Sequence, residues 1–209
     1  RILTLEKHLQ DAEMAVQQIF RLDGRWGQNW CRFFQIQGDE NQQKFLLNLR
    51  IAALFHDIGK ANEDFYAAVT SAGFLPQVLR HEHLSALILC LPEVRSWLGQ
   101  NSALEVDVIT AAVLSHHLKA SEGEKVTSNG KSYQWCQPQS LKQSPLRLYL
   151  NHDEVTRSLR RIADIANLKS LPNLPNVSWH PIQSLWQETR GKGITFARKL
   201  RSSIRKDKD

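Results

Sequence analysis

Leu54-Phe55-His56-Asp57-Ile58-Gly59-Lys60 is the stretch on which the reading of this chain turns. An apolar helical run ends here in an imidazole, a carboxylate and a glycine. Adjacent His and Asp at a helix end can bind one divalent metal, and the Asp can bridge to a second. The run behind it, 44 to 57, puts Leu46, Leu49, Ala53 and Asp57 on one stripe, with Leu54 and His56 at its edges. A carboxylate on a buried stripe costs several kcal/mol (about 2–5) unless it is paired or metal-bound. Gly59 is expected to end the helix as a C-terminal cap. Lys60 either pairs with Asp57 or holds a phosphate as a point charge. A His-Asp pair alone is common, so its weight depends on where the other histidines fall.

They fall on other helices. The 4–22 segment carries Leu5, Leu9, Ala12, Val16 and Ile19 at helical spacing, with His8 at the stripe's edge. The 81–91 helix places Leu84, Leu87, Ile88 and Leu91 inward. His81 and His83, about 200° apart, cannot both reach one site. His81 is expected to point in and His83 to lie at the solvated rim. In 104–118, Ile109, Ala112, Val113, His116 and His117 follow the i, i+3, i+4, i+7, i+8 pattern, so an apolar face runs straight into two histidines. Imidazole and carboxylate ligands without cysteine suit Mn, Fe, Ni, Co or Zn, with Mg also admitted. Two such metals about 3.5–4 Å apart need a bridging carboxylate, and Asp57 is the one clearly inward candidate.

The rest of the chain bounds this reading. Its 209 residues are 42% hydrophobic, enough for a sizeable core in a single domain over 1–209. Proline is sparse before the last third, which favours helices. No run is long and apolar enough to span a membrane, and Cys31, Cys90 and Cys136 form no CxxC pair, so a reducing cytoplasm is expected. The chain begins at Arg1 rather than Met and is expected to be a piece of a longer one. Residues 23–43 read as a glycine-punctuated connector whose Trp26, Trp30, Phe33 and Phe34 tie it to the core, with base stacking as the alternative. A long polar loop fills about 119–151, with a short apolar element at 146–150, and a further helix covers 152–167. The net charge of +6 leans towards a polyanionic partner. It is concentrated in a basic helix or linker at about 185–209, where Arg198, Lys199, Arg201, Arg205 and Lys206 offer phosphate contacts or a solvated face. No Walker loop, GxSxG motif or nucleophilic cysteine is present.

Taken together, helix-borne His8, His56-Asp57, His81 and His116-His117 resemble the HD metal-dependent phosphohydrolases. The finer spelling resembles the HD nuclease domain of CRISPR type I interference. It lies in Leu5 to Leu9 around His8, in His56-Asp57-x-Gly59-Lys60 with Phe65 downstream, in Arg80-His81-Glu82 with Ser85, and in Ser115-His116-His117. The match covers about residues 4–118. The resemblance implies an all-α helical bundle with a two-metal site between helices, in which Asp57 and Lys60 serve the chemistry. It implies cleavage of single-stranded DNA, a helicase partner, fused or separate, and an RNA-guided surveillance complex that supplies the strand. It also implies a late Asp ligand, for which Asp164 in Ala163-Asp164-Ile165-Ala166-Asn167 has the nearest spelling, although its helical phase faces the polar side. Two other classes remain open: an HD phosphohydrolase acting on nucleotides, and a non-catalytic HD interaction module. The polar loop and basic tail speak against a small closed nucleotide pocket. The retained His, Asp and Lys speak against the module.

Overall fold

The computed structural model describes residues 3–72, 80–117 and 146–174, and the backbone of 177–178. The basic tail with Arg198, Lys199, Arg201, Arg205 and Lys206, and most of the 119–151 loop, lie outside the described residues.

The architecture is all-α. Eight helices are described: α1 (Leu5–Phe20), α2 (Arg25–Phe33), α3 (Asp39–Phe55), α4 (Glu63–Thr70), α5 (His81–Leu89), α6 (Pro92–Leu98), α7 (Val106–Ser115) and α8 (Asp153–Ala166). A 3-10 turn, Ile58–Lys60, follows α3. Two-residue strands β1 (Arg147–Leu148) and β2 (Val177–Ser178) pair antiparallel. None of these helices is long and apolar enough to cross a membrane.

Local chemistry sets the boundaries. Thr4 Oγ1 accepts from Lys7 N and caps α1, and Asn62 Oδ1 accepts from Phe65 N and caps α4. Pro92 opens α6 in its first turn. Asn167 ends α8 in the left-handed region, and the Leu168 amide donates to the Ala163 carbonyl. Asn48 ties α3 to the start of α7: its Nδ2 donates to the Ala103 carbonyl and its Oδ1 accepts from the Glu105 amide.

The core runs between α1, α3, α5, α7 and α8, with Leu9, Ile51, Phe55, Leu84, Ile88, Ile109, Leu159 and Ile162 inside. Leu146, Leu148 and Leu150, at strand spacing, are buried against it. There the Tyr149 amide donates to the Ala61 carbonyl, so the returning chain braces the 3-10 turn.

Several expectations need correction. The connector at 23–43 contains a helix, α2, and the start of α3; Trp30 packs on Phe20 of α1, but Trp26, Phe33 and Phe34 face solvent instead of tying the segment down. The buried residues of α3 are Asn48, Ile51, Ala52, Leu54 and Phe55, so the stripe through Leu46 and Leu49 is out of phase, while Leu54, expected at its edge, is fully inside. Asp57 is buried because the chain has already left the helix. Gly59 does not adopt a positive φ, so it is not a left-handed cap. His83, expected at the rim, is 1% exposed. All of α5 from Glu82 to Leu89 is buried, and a helix covered on every side has no polar face to which a histidine can be assigned.

Candidate metal centre

Four helix ends meet at one pole of the bundle. His8 comes from the first turn of α1 and His81 is the first residue of α5. His56 and His116 are the C-terminal caps of α3 and α7, and His117 follows. Asp57 stands among them at φ −115°, ψ 9°, near the bridge region in which many active-site residues sit.

The 3-10 turn is what delivers Asp57. The Gly59 amide donates to Ser85 Oγ at 2.8 Å, and Asn62 Nδ2 donates to the Gly59 carbonyl at 2.6 Å. A Cβ on Gly59 would stand 2.3 Å from the His81 carbonyl oxygen and 2.6 Å from the Ser85 amide. The glycine is required by close approach of two backbones, and that approach sets Asp57 against His81.

Asp57 is 3% exposed and its two oxygens face different groups. Oδ2 lies 2.7 Å from His8 Nε2, 3.2 Å from His56 Nε2 and 2.5 Å from Lys60 Nζ. Oδ1 lies 2.9 Å from His81 Nε2 and 3.5 Å from His116 Nε2. His117 Nε2 is 2.9 Å from His81 Nε2. The ligand atoms therefore form two groups, His8–His56–Asp57 and Asp57–His81–His116–His117, each within 4.8 Å and sharing one carboxylate.

The imidazoles are oriented from behind. His56 Nδ1 donates to the Ala53 carbonyl at 2.7 Å, and His116 Nδ1 to the Val113 carbonyl at 2.6 Å. Carbonyls only accept, so both Nδ1 atoms carry hydrogen and both Nε2 atoms are left for the centre, the arrangement usual for metal-ligating histidine. Asp57 Oδ1 and His116 Nε2 are buried, and neither makes a hydrogen bond among the described residues. These two atoms are 3.5 Å apart, with His81 Nε2 2.9 Å from the same oxygen, a set of donors able to hold a cation.

The electrostatics agree. Burial would raise the Asp57 carboxyl, but His116, His56, His81 and Lys60 outweigh it and hold it well below the usual carboxylate range. Burial disfavours charge on His116, yet Asp57 and the Val113 carbonyl hold it above its ordinary value. His117 is lowered by burial and by His116 beside it. The donor set, five imidazoles and a carboxylate with no thiolate, fits hard-to-borderline divalent metals.

The structure thus brings together His8, His56, Asp57, Lys60, His81, His116 and His117. It does not bring Asp164 to them. Asp164 is exposed on α8, which packs on α1 and α3, and it belongs to neither group. Ser85 and Asn62 were given no positioning role from sequence. Asn62 was legible as an Asn ahead of Glu63-Asp64, the pattern of a helix start. Ser85 was legible only as a letter of the Arg80-His81-Glu82 element, because its bond to the Gly59 amide acts across the bundle. Buried Glu82, ion-paired with Arg80, adds negative charge behind His81.

Comparison with known proteins places this geometry. The family model described as "Cas3, HD domain" matches residues 1–176. A curated protein of Myxococcus xanthus (strain DK1622), described as a putative CRISPR-associated nuclease/helicase Cas3, is 32% identical over 117 residues. That match covers 54% of this chain and 14% of the relative, so the chain corresponds to a small part of that protein's length. No solved structure matches significantly. With the family match spanning most of the chain and the histidine helices converging on Asp57, the chain belongs to the family of Cas3 HD domains.

Proposed function

We propose that this chain is a metal-dependent nuclease that hydrolyses phosphodiester bonds of single-stranded DNA in CRISPR type I interference. The observation that carries the reading is the split of Asp57: one oxygen turned to His8 and His56, the other to His81 and His116. That is the layout of a bridging carboxylate between two cations. His8 and His56 would hold one divalent transition metal, and His81, His116 and His117 the other, with Mn, Fe, Ni, Co or Zn as candidates and Mg also admitted. Bound there, the pair would supply Lewis-acid stabilisation of phosphodiester oxygens and a water of lowered pKa.

The chain's own residues do the rest. Lys60 steadies the bridging carboxylate and sets a positive charge beside the centre for a phosphate. Phe65, with Lys60 Nζ 5.5 Å from its ring centroid, packs over the same edge. Asp164 stays a candidate late ligand only if α8 presents it differently when metal is bound. Arg198, Lys199, Arg201, Arg205 and Lys206 are proposed to contact the strand's phosphates. We read residues 1–209 as a single HD nuclease domain in a reducing cytoplasm. A helicase, fused or separate, and an RNA-guided surveillance complex would supply the strand.

The test is to load metal-free chain with each metal in turn and offer labelled single-stranded DNA, duplex DNA and a nucleotide panel. Cleavage of the single strand, stopped by chelator, is expected. Hydrolysis of nucleotides with DNA untouched would move the chain to the nucleotide phosphohydrolases. Full metal loading with no hydrolysis would make it an interaction module.

A further inference from the structure

Helix α2 turns its aromatic side outward. Trp26, Trp30, Phe33 and Phe34 lie at i, i+4, i+7 and i+8, one stripe, yet the buried residues of α2 are Gly27 and Cys31. A Cβ on Gly27 would stand 2.3 Å from the Arg21 carbonyl oxygen, so α2 lies backbone-close to the end of α1 on that side. The aromatic side is left to water: Phe33 is 79% exposed, Trp26 70% and Phe34 52%. The rings form a continuous ladder. Phe45 meets Phe20 at 6.1 Å between centroids, Phe20 meets Trp30 at 5.3 Å, Trp30 meets Phe34 at 4.6 Å, and Phe34 meets Phe33 at 4.9 Å. One end is anchored between α1 and α3 and the other stands in solvent. A patch of this kind on a surface helix marks a binding face.

Two neighbouring features say what it binds. Arg21 is closed by Asp23, but among the described residues Arg25 and Arg32 form no ion pair; Arg32 donates only to the neutral Asn29 amide. Their charges are free for an anion. Arg32 itself lines a cavity of about 400 Å³, together with Gln28, Gln35, Gln37, Cys31 and Ile36, and most of that lining is apolar. A mostly apolar lining with a few amides that donate and accept suits a base, whose face is apolar and whose edge hydrogen-bonds. Ring faces, uncompensated guanidiniums and this cavity answer the parts of a nucleotide: base face, phosphate and base. In a duplex the base faces are already stacked, so a single strand is the form that fits. The face lies beyond the far end of α1 from His8, about 18 Å along that helix from the metal centre.

We propose that the outward aromatic face of α2, with Arg25, Arg32 and the cavity beside Arg32, is a stacking platform that holds single-stranded nucleic acid at a distance from the metal centre. It rests on the nuclease reading and adds to it a stacking contact with the strand that needs no metal.

The experiment is fluorescence anisotropy of a labelled oligothymidine with the full chain under chelator, so that the strand is bound but not cut. Phe33→Leu keeps bulk and loses the π face; Phe33→Tyr keeps both. The proposal expects Phe33→Leu to weaken binding about 5-fold or more, the low end for one lost stack, and Phe33→Tyr to bind as the wild type does. It expects Arg32→Gln to flatten the slope of log affinity against log salt by about 0.7. Equal binding by wild type, Phe33→Leu and the corresponding Trp26→Leu would overturn it. Self-association of the wild type, dispersed by Phe33→Ser with DNA affinity unchanged, would also overturn it and give the face to a second copy. Both aromatics are mostly exposed, so an unchanged melting temperature is expected and checks the fold. Cleavage of the strand by metal-loaded wild type separates the two failures. Cutting with variant binding unchanged sinks the platform alone; neither binding nor cutting sinks the nuclease reading with it.

Discussion

Glu13 and Asp57 are both carboxylates sealed from water, and both lie where α1 meets α3, yet they are neutralised in different ways. Glu13 is fully buried. Its Oε1 accepts from Arg50 Nε at 2.7 Å and Gln17 Nε2 at 2.6 Å, and its Oε2 from Arg161 at 2.9 Å. Burial would raise its carboxyl, but Arg161 and Arg50 outweigh that and lower it. Both oxygens are closed by cations that never lose their charge. Asp57 is met by one ammonium, Lys60, and by imidazoles, which switch between proton and metal, and its Oδ1 makes no hydrogen bond among the described residues. Burial of an acid is therefore no mark of a site. The mark is that its neutralising groups include several with lone pairs to give.

The sharpest break in the comparison is Asp57→Ala against wild type. It should lose two-metal binding and all measurable DNA cleavage, while the metal-free fold persists at a lower melting temperature, because the histidines and Lys60 that hold the carboxyl below its ordinary range lose their counter-charge. Metal titration and thermal denaturation read the two arms. Wild-type cleavage by this variant would end the metal account.

Gly59→Ala comes next. Its methyl would collide with the His81 carbonyl and the Ser85 amide, pushing the 3-10 turn off α5. Metal affinity should fall about 10- to 100-fold, as when a supporting contact of a metal ligand is lost, and stability should fall with it. Calorimetric titration checks the first and denaturant melts the second. Unchanged affinity would mean that the turn does not position Asp57.

Glu13→Ala should do the converse. Stability should drop by about 2–3 kcal/mol, less than for a fully buried pair because both arginines reach water, or about 4–12 °C in melting temperature. Metal stoichiometry should be unchanged. The carboxyl is lowered in the folded state, so its contribution is present above the ordinary glutamate range and is lost as pH falls towards the lowered value. The variant's acid melt should lack that component.

The smallest contrast separates neighbours. His81→Ala should lose metal with little loss of fold, since His81 touches Asp57 at the edge of the core. His83→Ala, from the covered side of α5, should cost about 1–3 kcal/mol and leave metal loading intact. Reversed outcomes would place the wrong histidine in the centre.

How much of this was legible follows from where apolar residues sit. Apolar periodicity beside His8, His56, His81 and His116 pointed to the helices and the candidate ligands together, because α1 and α5 begin, and α3 and α7 end, at the pole where these side chains meet. α2 was hidden because Gly24, Gly27 and Gly38 read as loop punctuation and outweighed an aromatic stripe at helical spacing. Glu13 gave no sign in the sequence because its arginines, Arg50 and Arg161, lie far along the chain. His83 was misplaced because phase says nothing about a helix buried on all sides. Asp164 shows the reverse, a spelling that suggests a ligand on a side chain that the fold turns to solvent.

Metal counting is the most direct test of the central claim that Asp57 joins two separate ligand groups. Metal-free wild type, His8→Ala and His117→Ala should be loaded with Mn, freed of excess and measured for metal per chain, alongside Asp57→Ala. Two ions in the wild type, one in each histidine variant and none in Asp57→Ala are expected. One ion in the wild type, removed equally by His8→Ala and His117→Ala, would show a single mononuclear site and contradict the bridging carboxylate.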